Sequence, residues 1–242
     1  MSDAVTRAAA TRGSMPAVRE VLLLWAACFA AIVVTYVTLT PYAKLVATVG
    51  FLYLPLWAMK RRGEDYRDYG VTLRAWRQDL KLFLLLSAIV LPLFVAGYAL
   101  FAEGLARLPP RIAQHLAPYA ASWHFRPRLP DRFGEWVVDQ LFVVALPEEF
   151  FYRGYLQARL RDAWPQGRMV LGARLGPAFF LTAALFALGH LAIFQVWRLG
   201  VFFPALLFGY LRERTGSVLG AALFHAVCNL SVLVLEASFY GR

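Results

Sequence analysis

Two adjacent glutamates and an arginine interrupt an otherwise apolar stretch, and their side chains could do chemistry. Glu148 and Glu149 precede Arg153 in a segment rich in Leu, Val and Phe. A charged side chain inside a membrane helix costs at least about 2.5–3.5 kcal/mol, so three together require a reason. Glu149 and Arg153 are four residues apart, so they share one helical face and can form an ion pair. Glu148 is rotated about 100° away from Glu149 and has no cation at this spacing on its own helix.

Two histidines and an asparagine lie in two further apolar segments. His190 follows Phe186 by four residues, and His225 precedes Asn229 by the same spacing, so each pair shares a helical face. A carboxylate in a low-dielectric environment becomes a stronger base and can activate water near neutral pH. Histidine and asparagine can supply a second base and hydrogen-bond donors to an oxyanion. Because the sequence has no G-x-S-x-G nucleophile motif, it predicts hydrolysis of an amide by water activated through Glu148.

The composition indicates that these residues lie in a membrane. Of the 242 residues, 60% are hydrophobic and 17% charged, whereas soluble domains have about 45–50% and about 25%. This apolar excess is more than the core of a soluble domain of this size can bury. Two cysteines are too few for a disulfide scaffold, and the high hydrophobicity excludes a disordered chain.

The net charge of +10 raises the question of which partner the chain binds. Basic loops beside anionic lipid produce such an excess in a membrane protein. The sequence contains no nucleic-acid-binding motif, so the expected partner is the lipid bilayer and not nucleic acid.

Uncharged apolar runs predict an all-α, polytopic transmembrane helix bundle of about seven spans. About 20 apolar residues are needed to cross the roughly 30 Å of hydrocarbon in a bilayer. The predicted spans, in chain order, are Val21–Ala43, Leu45–Met59, Leu82–Ala102, Phe133–Ala163, Leu175–Trp197, Leu199–Leu211 and Thr215–Leu235. The fourth of them carries the glutamate pair. Two of the predicted spans, the second and the sixth, are short.

The same pattern predicts three regions along the chain. Residues 1–20 are polar and form a cytoplasmic tail. Residues 21–132 form an N-terminal frame of about three transmembrane helices plus a proline-rich loop. Residues 133–242 form the catalytic helix bundle, which therefore occupies the C-terminal half.

The distribution of basic residues predicts the orientation of this bundle. Arginine and lysine are concentrated near the N-terminus, in Lys60–Lys81 and in Arg153–Arg174, which the predicted spans place on one side. The positive-inside rule makes that side cytoplasmic, with the N-terminus inside and the C-terminus outside. Arginine far outnumbers lysine and alanine is abundant, as in GC-rich bacteria, so the expected location is a bacterial inner membrane.

The polar residues and their spacing resemble the motifs of a known family. The sequence contains, in this order, Glu148-Glu149-x-x-x-Arg153, Phe186-x-x-x-His190 and His225-x-x-x-Asn229. Together they resemble the three motifs of the CPBP (CAAX prenyl endopeptidase/bacteriocin-processing, or Abi) family of glutamic-type intramembrane proteases. The resemblance covers about residues 135–236, and the preceding residues match only as generic membrane helices.

This resemblance implies a role for each residue of the three motifs. In the family, the first glutamate and the histidine of the second motif activate water. The histidine and asparagine of the third motif form the oxyanion hole, and the second glutamate and the arginine shape the site. These roles fall, in the same order, on Glu148, His190, His225, Asn229, Glu149 and Arg153. The implied substrate is a membrane-embedded or membrane-anchored protein or peptide, such as a leader peptide or a C-terminal sorting tail.

Two alternatives stay open at this point. Glu148, His190 and His225 could form a zinc site with an open position for water, but the H-E-x-x-H spacing typical of zinc proteases is missing. We therefore expect no cofactor, with zinc as the alternative. The alternative function is a non-proteolytic membrane protein of the same fold, which would serve bacteriocin immunity, peptide binding or scaffolding.

Overall fold

Seven long helices follow one another in the part of the chain that this computed structural model describes, residues 2–112 and 125–240. They are α1 (Ser2–Thr38), α2 (Ala43–Arg62), α3 (Trp76–Arg107), α4 (133–163), α5 (Pro177–Gly189), α6 (Phe202–Thr215) and α7 (Leu219–Tyr240). A short antiparallel hairpin, β1 (Arg168–Val170) and β2 (Ala173–Leu175), joins α4 to α5. The predicted all-α class is confirmed. Part of the predicted proline-rich loop, residues 113–124, lies outside the described residues.

Four of the described helices are long and apolar enough to cross a membrane. They are Met15–Thr38, Thr40–Arg62, Trp76–Arg107 and Leu219–Tyr240, and a shorter apolar helix covers Pro177–Ile193. Together with the hydropathy of the sequence, these helices indicate a multi-pass membrane protein. The number of seven spans stays a prediction.

The first two predicted spans have different boundaries in the structure. The helix α1 begins at Ser2, so the residues predicted as a tail are helical and continuous with the first span. It ends at Thr38, before the Ala43 expected from hydropathy, and a 3-10 turn covers Thr40–Tyr42. Pro41 explains the early end, because the residue before a proline is disfavoured in the α conformation and helices usually stop there.

The segment Leu175–Trp197, predicted as one long span, is not a single helix. Its α-helical part ends at Gly189, and the chain continues in a 3-10 turn as far as Ile193. Phe194 then has a φ of +56°, which a helix cannot contain without breaking its hydrogen-bond ladder. His190 therefore lies at the C-terminal end of α5, and the prediction of one continuous helix over Leu175–Trp197 is wrong.

The N-terminal helices pack around the C-terminal ones and share one apolar core with them. The helix α1 contacts the end of α4 and the turn after α5, α2 contacts the middle of α4, and α3 lies along α7. Phe51 of α2 packs against Phe151 of α4 with ring centroids 5.0 Å apart. Trp25 of α1 donates from Nε1 to the carbonyl of Leu185 in α5 at 3.0 Å. The frame helices thus help to position the helices that carry the motif residues.

A network of polar side chains ties α1, α2 and α4 together at one end. Arg62, the last residue of α2, pairs with Glu20 of α1 and donates from Nε to Oε2 of Glu64 at 2.7 Å. Tyr155 of α4 donates to the same Glu20, and Tyr69 donates to Glu64 at 2.5 Å. Burial and the hydrogen bond to Glu64 raise the pKa of Tyr69 to about 12. This network fixes the position of α4 along its axis relative to α1 and α2.

Candidate active site

The helix α4 changes its hydrogen-bonding pattern around the glutamate pair. In chain order its segments are α-helical Phe133–Val138, π-helical Asp139–Ala145, α-helical Leu146–Glu149, π-helical Phe150–Leu156 and α-helical Gln157–Ala163. Turns of π-helix are rare in proteins, and those that occur are frequently located at functional sites. Pro147 has no N–H for the carbonyl of Val143, four residues earlier, and the hydroxyl of Thr48 in α2 donates to that carbonyl at 2.9 Å. The proline thus removes one backbone hydrogen bond of the helix just before the glutamates.

Glu149 is completely buried, and one of its carboxylate oxygens accepts two hydrogen bonds, one from its own helix and one from α7. Its Oε1 accepts from Nη1 of Arg153 at 3.0 Å and from Nδ1 of His225 at 2.9 Å. The ion pair between Glu149 and Arg153 was predicted from their spacing and is present, with both side chains no more than 1% exposed. The bond to His225 joins α4 to α7. Glu149 is therefore placed to position its neighbours.

Arg153 joins α4 to α5 and α6. Its Nη2 donates to the carbonyl of Ala205 at 3.0 Å. The guanidinium carbon lies 4.3 Å from the ring centroid of Phe186 and 5.2 Å from that of Phe208. Attraction between a cation and an aromatic face is strongest when both are desolvated. The buried charge is thus stabilised by a carboxylate, a carbonyl and two rings from three helices.

Glu148 has a different environment from Glu149, as their spacing predicted. Its side chain is 17% exposed, compared with 0% for Glu149. Its Oε2 lies 4.0 Å from Nε2 of His225 and has no hydrogen-bond partner among the described residues. A carboxylate oxygen without a protein donor can accept a hydrogen bond from water. Oε2 of Glu149 also lacks a partner among the described residues, but the Glu149 side chain is fully buried. The partly exposed Glu148 is therefore the member of the pair that a bound water can reach.

The hydrogen bond of His190 determines which ring nitrogen is a base. Its Nδ1 lies 2.9 Å from the carbonyl oxygen of Phe186. Because a carbonyl only accepts, Nδ1 carries the proton, and the neutral ring has its lone pair on Nε2. The ring of Phe186 contacts both histidines, with centroids 4.6 Å from His190 and 5.7 Å from His225. His190 thus offers Nε2 as a hydrogen-bond acceptor.

His225 and Asn229 lie on one face of α7 but have different partners. The His225 ring stacks on Phe208 with centroids 4.7 Å apart, and its Nδ1 donates to Glu149. Donation to an oxyanion would have to come from Nε2, which requires a second proton on the ring. Asn229 donates from Nδ2 to Oε1 of Gln140 at 2.9 Å. That these two side chains form an oxyanion hole stays a prediction.

Three further residues near the site were not predicted as functional from the sequence. Gln140 is an amide in the apolar part of α4, two helical turns before Glu148, and this position could have drawn attention to it. Trp25 and Tyr152 reach the end of α5 through contacts between distant parts of the chain. No local sequence pattern encodes those two contacts.

The side chains proposed as a zinc alternative are not arranged as metal ligands. Within residues 2–112 and 125–240, no three His, Cys, Asp or Glu side chains are grouped to hold a metal ion. Neighbouring ligand atoms of a tetrahedral zinc lie about 3.3 Å apart, given zinc–ligand bonds of about 2.0–2.1 Å. Nε2 of His225 and Oε2 of Glu148 are 4.0 Å apart. As arranged, Glu148, His190 and His225 do not fit a zinc ion.

The close contact at Gly189 predicts that Gly189→Ala lowers activity by about 10²-fold, as a displacement of about 1 Å can do. A Cβ at this position would lie 2.5 Å from the hydroxyl oxygen of Tyr152. Tyr152 cannot yield easily, because the rings of Phe51, Phe151 and Phe186 surround it at 5.0–5.6 Å. The alanine would therefore displace the end of α5, which carries His190. Turnover of purified enzyme is the measurement.

Two further variants serve as controls for the Gly189 prediction. Gly97→Ala in α3 places its Cβ where no described atom lies within 4 Å, so it should leave turnover unchanged. Gly189→Ala combined with Tyr152→Phe removes the hydroxyl and should restore part of the rate. If Gly189→Ala turns over at the rate of Gly97→Ala, the contact does not position His190.

One comparison with known proteins finds a family that this chain resembles. A family model described as type II CAAX prenyl endopeptidase Rce1-like matches residues 134–231. The match covers less than half of the chain and includes every motif residue, from Glu148 to Asn229. No curated protein and no solved structure matches the chain. The predicted resemblance to CAAX endopeptidases is confirmed: residues 134–231 match the model of Rce1-like type II CAAX prenyl endopeptidases.

Proposed function

We propose that this protein is a glutamic-type intramembrane endopeptidase. It hydrolyses a peptide bond of a membrane-embedded or membrane-anchored protein or peptide by means of water that Glu148 activates. The observation that carries the proposal is the unequal environment of the two glutamates. Glu149 is fully buried and binds Arg153 and His225 through Oε1, whereas the Glu148 side chain is 17% exposed and is hydrogen-bonded to neither of them. The match of residues 134–231 to a family of endopeptidases supports a peptide-bond hydrolase.

The proposed reaction uses one water and the side chains around it. A water bound between Glu148 and Nε2 of His190 gives a proton to Glu148 as its oxygen attacks the carbonyl carbon of the substrate. The electron pair of the C=O bond moves to oxygen, where Asn229 and the doubly protonated His225, through its Nε2–H, donate hydrogen bonds to the oxyanion. The C=O bond then forms again, the C–N bond breaks, and the proton goes from Glu148 to the amine nitrogen. The products are a carboxylic acid and an amine.

Arg153 and Glu149 do not touch the substrate in this proposal. They hold α4, α5, α6 and α7 together through the bonds to His225, Ala205 and the ring of Phe186. Residues 133–242 act as the catalytic bundle, residues 21–132 as its frame, and residues 1–20 as a cytoplasmic tail. The mechanism has no metal step.

We also propose that the protein lies in a bacterial inner membrane with its N-terminus inside and its C-terminus outside. The network of Glu20, Arg62 and Tyr155 supports part of this orientation, because it brings the end of α2 and the end of α4 to the same level as Glu20 in α1. Exposed Lys60 and Arg61 lie at that level. A basic cluster at one face of a membrane protein marks the cytoplasmic side.

Membrane proteomics of cells that carry either the wild type or Glu148→Ala tests the proposed function. We expect the variant cells to accumulate the uncleaved form of one or a few membrane-anchored proteins. Glu135→Ala is the matched control, since Glu135 lies on the same helix but is exposed and paired with Arg132. If no precursor accumulates with Glu148→Ala, the protease proposal fails, and a role in bacteriocin immunity, peptide binding or scaffolding takes its place.

We expect a chelator to leave the activity of the purified enzyme unchanged. The reason is that the proposed mechanism assigns the proton transfers to Glu148 and His190 and requires no Lewis acid. Elemental analysis of the same preparation provides a second readout. Zinc at one atom per chain, removed by the chelator together with the activity, would contradict the proposal and would make His225 a metal ligand.

A further inference from the structure

A chain of polar side chains leads from the start of α2 to the third motif. Lys44, the second residue of α2, pairs with the carboxylate of Asp139 in α4. Nε2 of Gln140 donates to Oδ2 of Asp139 at 3.1 Å. Oε1 of Gln140 accepts from Nδ2 of Asn229 at 2.9 Å. Three of these residues, Lys44, Asp139 and Gln140, lie outside the three motifs and have no role in the proposed reaction.

The chemistry of the chain determines the orientation of both amides. The carboxylate of Asp139 only accepts hydrogen bonds, so it must face the NH2 group of Gln140. The carbonyl oxygen of Gln140 then faces Asn229, and Asn229 must turn its own NH2 group toward Gln140. One hydrogen of that group is bonded to Gln140, and the other can be donated elsewhere. A flipped Asn229 would place its carbonyl oxygen against that of Gln140.

This orientation matters for the chemistry that the site performs. An oxyanion is stabilised by preorganised donors and destabilised by a carbonyl oxygen in the same place. Asn229 lies one helical turn after His225, whose Nε2 is 4.0 Å from Glu148. The π-helical segment Asp139–Ala145 contains Gln140, which suits a functional position. A purely structural amide pair would not need a carboxylate and an ammonium group behind it.

We propose that Gln140, oriented by Asp139 and Lys44, is a positioning residue that holds the NH2 group of Asn229 ready to donate to the reacting carbonyl oxygen. This inference rests on the proposed function. Lys44 and Asp139 have side chains that are 48% and 25% exposed, so the chain begins near the surface and ends at the site. Asn229 donates to Gln140 and Gln140 donates to Asp139, so both amide bonds point away from the site and leave the second N–H of Asn229 to be donated there.

A double-mutant cycle between Gln140 and Asn229 tests the inference. The probe is the precursor that accumulates with Glu148→Ala, cleaved by full-length enzyme in detergent or vesicles. Gln140→Met keeps the length of the side chain and removes the acceptor; we expect kcat to fall about tenfold to a hundredfold with little change in KM. In the Asn229→Ala background the same substitution should change kcat less than twofold, because the residue through which Gln140 acts is gone.

Two substitutions that move the carboxylate from residue 139 to residue 140 distinguish a role of Gln140 in orienting Asn229 from a role in packing. Asp139→Asn removes the acceptor that orients Gln140 and should lower kcat. Adding Gln140→Glu moves the carboxylate one residue along, so that the new amide donates to it and it accepts from Asn229. We expect this double variant to recover most of the lost kcat. A structural role would change the unfolding temperature in detergent and would not produce such a recovery.

The outcomes distinguish this inference from the proposed function. Equal losses from Gln140→Met with and without Asn229, or no recovery in the double variant, would overturn the positioning role while leaving the protease assignment intact. Wild-type turnover by Asn229→Ala would remove the oxyanion role itself, and the inference with it. Turnover by Glu148→Ala would overturn the proposed function.

Discussion

Glu148→Gln is expected to abolish peptide hydrolysis while the protein still folds and inserts. The substitution keeps the size of a side chain that is 17% exposed and removes its ability to accept a proton. Loss of a general base typically costs about 10²–10⁴-fold in rate. The loss for Asn229→Ala should be about 10²–10³-fold, which leaves a weak but measurable rate. Initial rates of precursor cleavage by purified enzyme measure both.

Two variants accompany the Glu148 measurement. Glu135→Gln makes the same change on the same helix at a side chain that is 63% exposed, and it should not alter the rate. His190→Ala should lower the rate to a similar extent as Glu148→Gln, because Nε2 of His190 binds the same water in the proposed mechanism. Near wild-type turnover by Glu148→Gln would show that another group accepts the proton.

Arg153→Met is expected to destabilise the folded protein by about 3–5 kcal/mol, and to lower activity as a consequence. The substitution leaves the carboxylate of Glu149 buried with His225 as its remaining partner. It also removes the hydrogen bond to Ala205 and the contact with Phe186, which join α4 to α6 and α5. The yield of monodisperse protein and the thermal unfolding midpoint in detergent measure the effect.

The Arg153 prediction has a matched control and a compensating variant. Arg161→Met is the same change on the same helix, at a 38% exposed side chain that lies 3.8 Å from Glu213. Arg161 is exposed, and Glu213, which is 7% exposed, keeps the hydrogen bond from Gln157 at 2.9 Å, so this variant should lose no more than about 1 kcal/mol. Arg153→Met combined with Glu149→Gln removes the unpaired charge and should regain stability without regaining activity. Full stability of Arg153→Met with activity alone lost would make the pair catalytic.

The two predictions depend on a difference between neighbouring glutamates that the sequence indicates only in part. Helical spacing separates the faces of Glu148 and Glu149 and pairs Glu149 with Arg153, because positions four apart lie above each other on one helix. It does not say which glutamate contacts a histidine of another helix. The bond from His225 to Glu149 decides that, and it joins residues 76 positions apart.

The sequence by itself therefore determined what local physics encodes. Hydropathy and composition determined the membrane class, since burial of apolar side chains in lipid depends on composition and on the length of each run. The three motifs, with Glu148, His190 and His225 among their residues, indicated a family resemblance, and the family model matches residues 134–231. The ion pair on α4 was equally predictable, because both partners lie within one turn.

The tertiary structure decided what depends on contacts between helices. The end of α5 at Gly189 could not be found from hydropathy, because the residues after it, His190–Trp197, are mostly apolar and include no Asp, Glu, Lys or Arg. Phe194, with its left-handed backbone, turns the chain away from the helix axis, and the hydroxyl of Tyr152 lies against Gly189. Likewise, Gln140 acquires its partner Asn229 only when α4 and α7 pack together. Such pairings depend on the register of one helix against another, which side-chain packing across the bundle sets and no local pattern records.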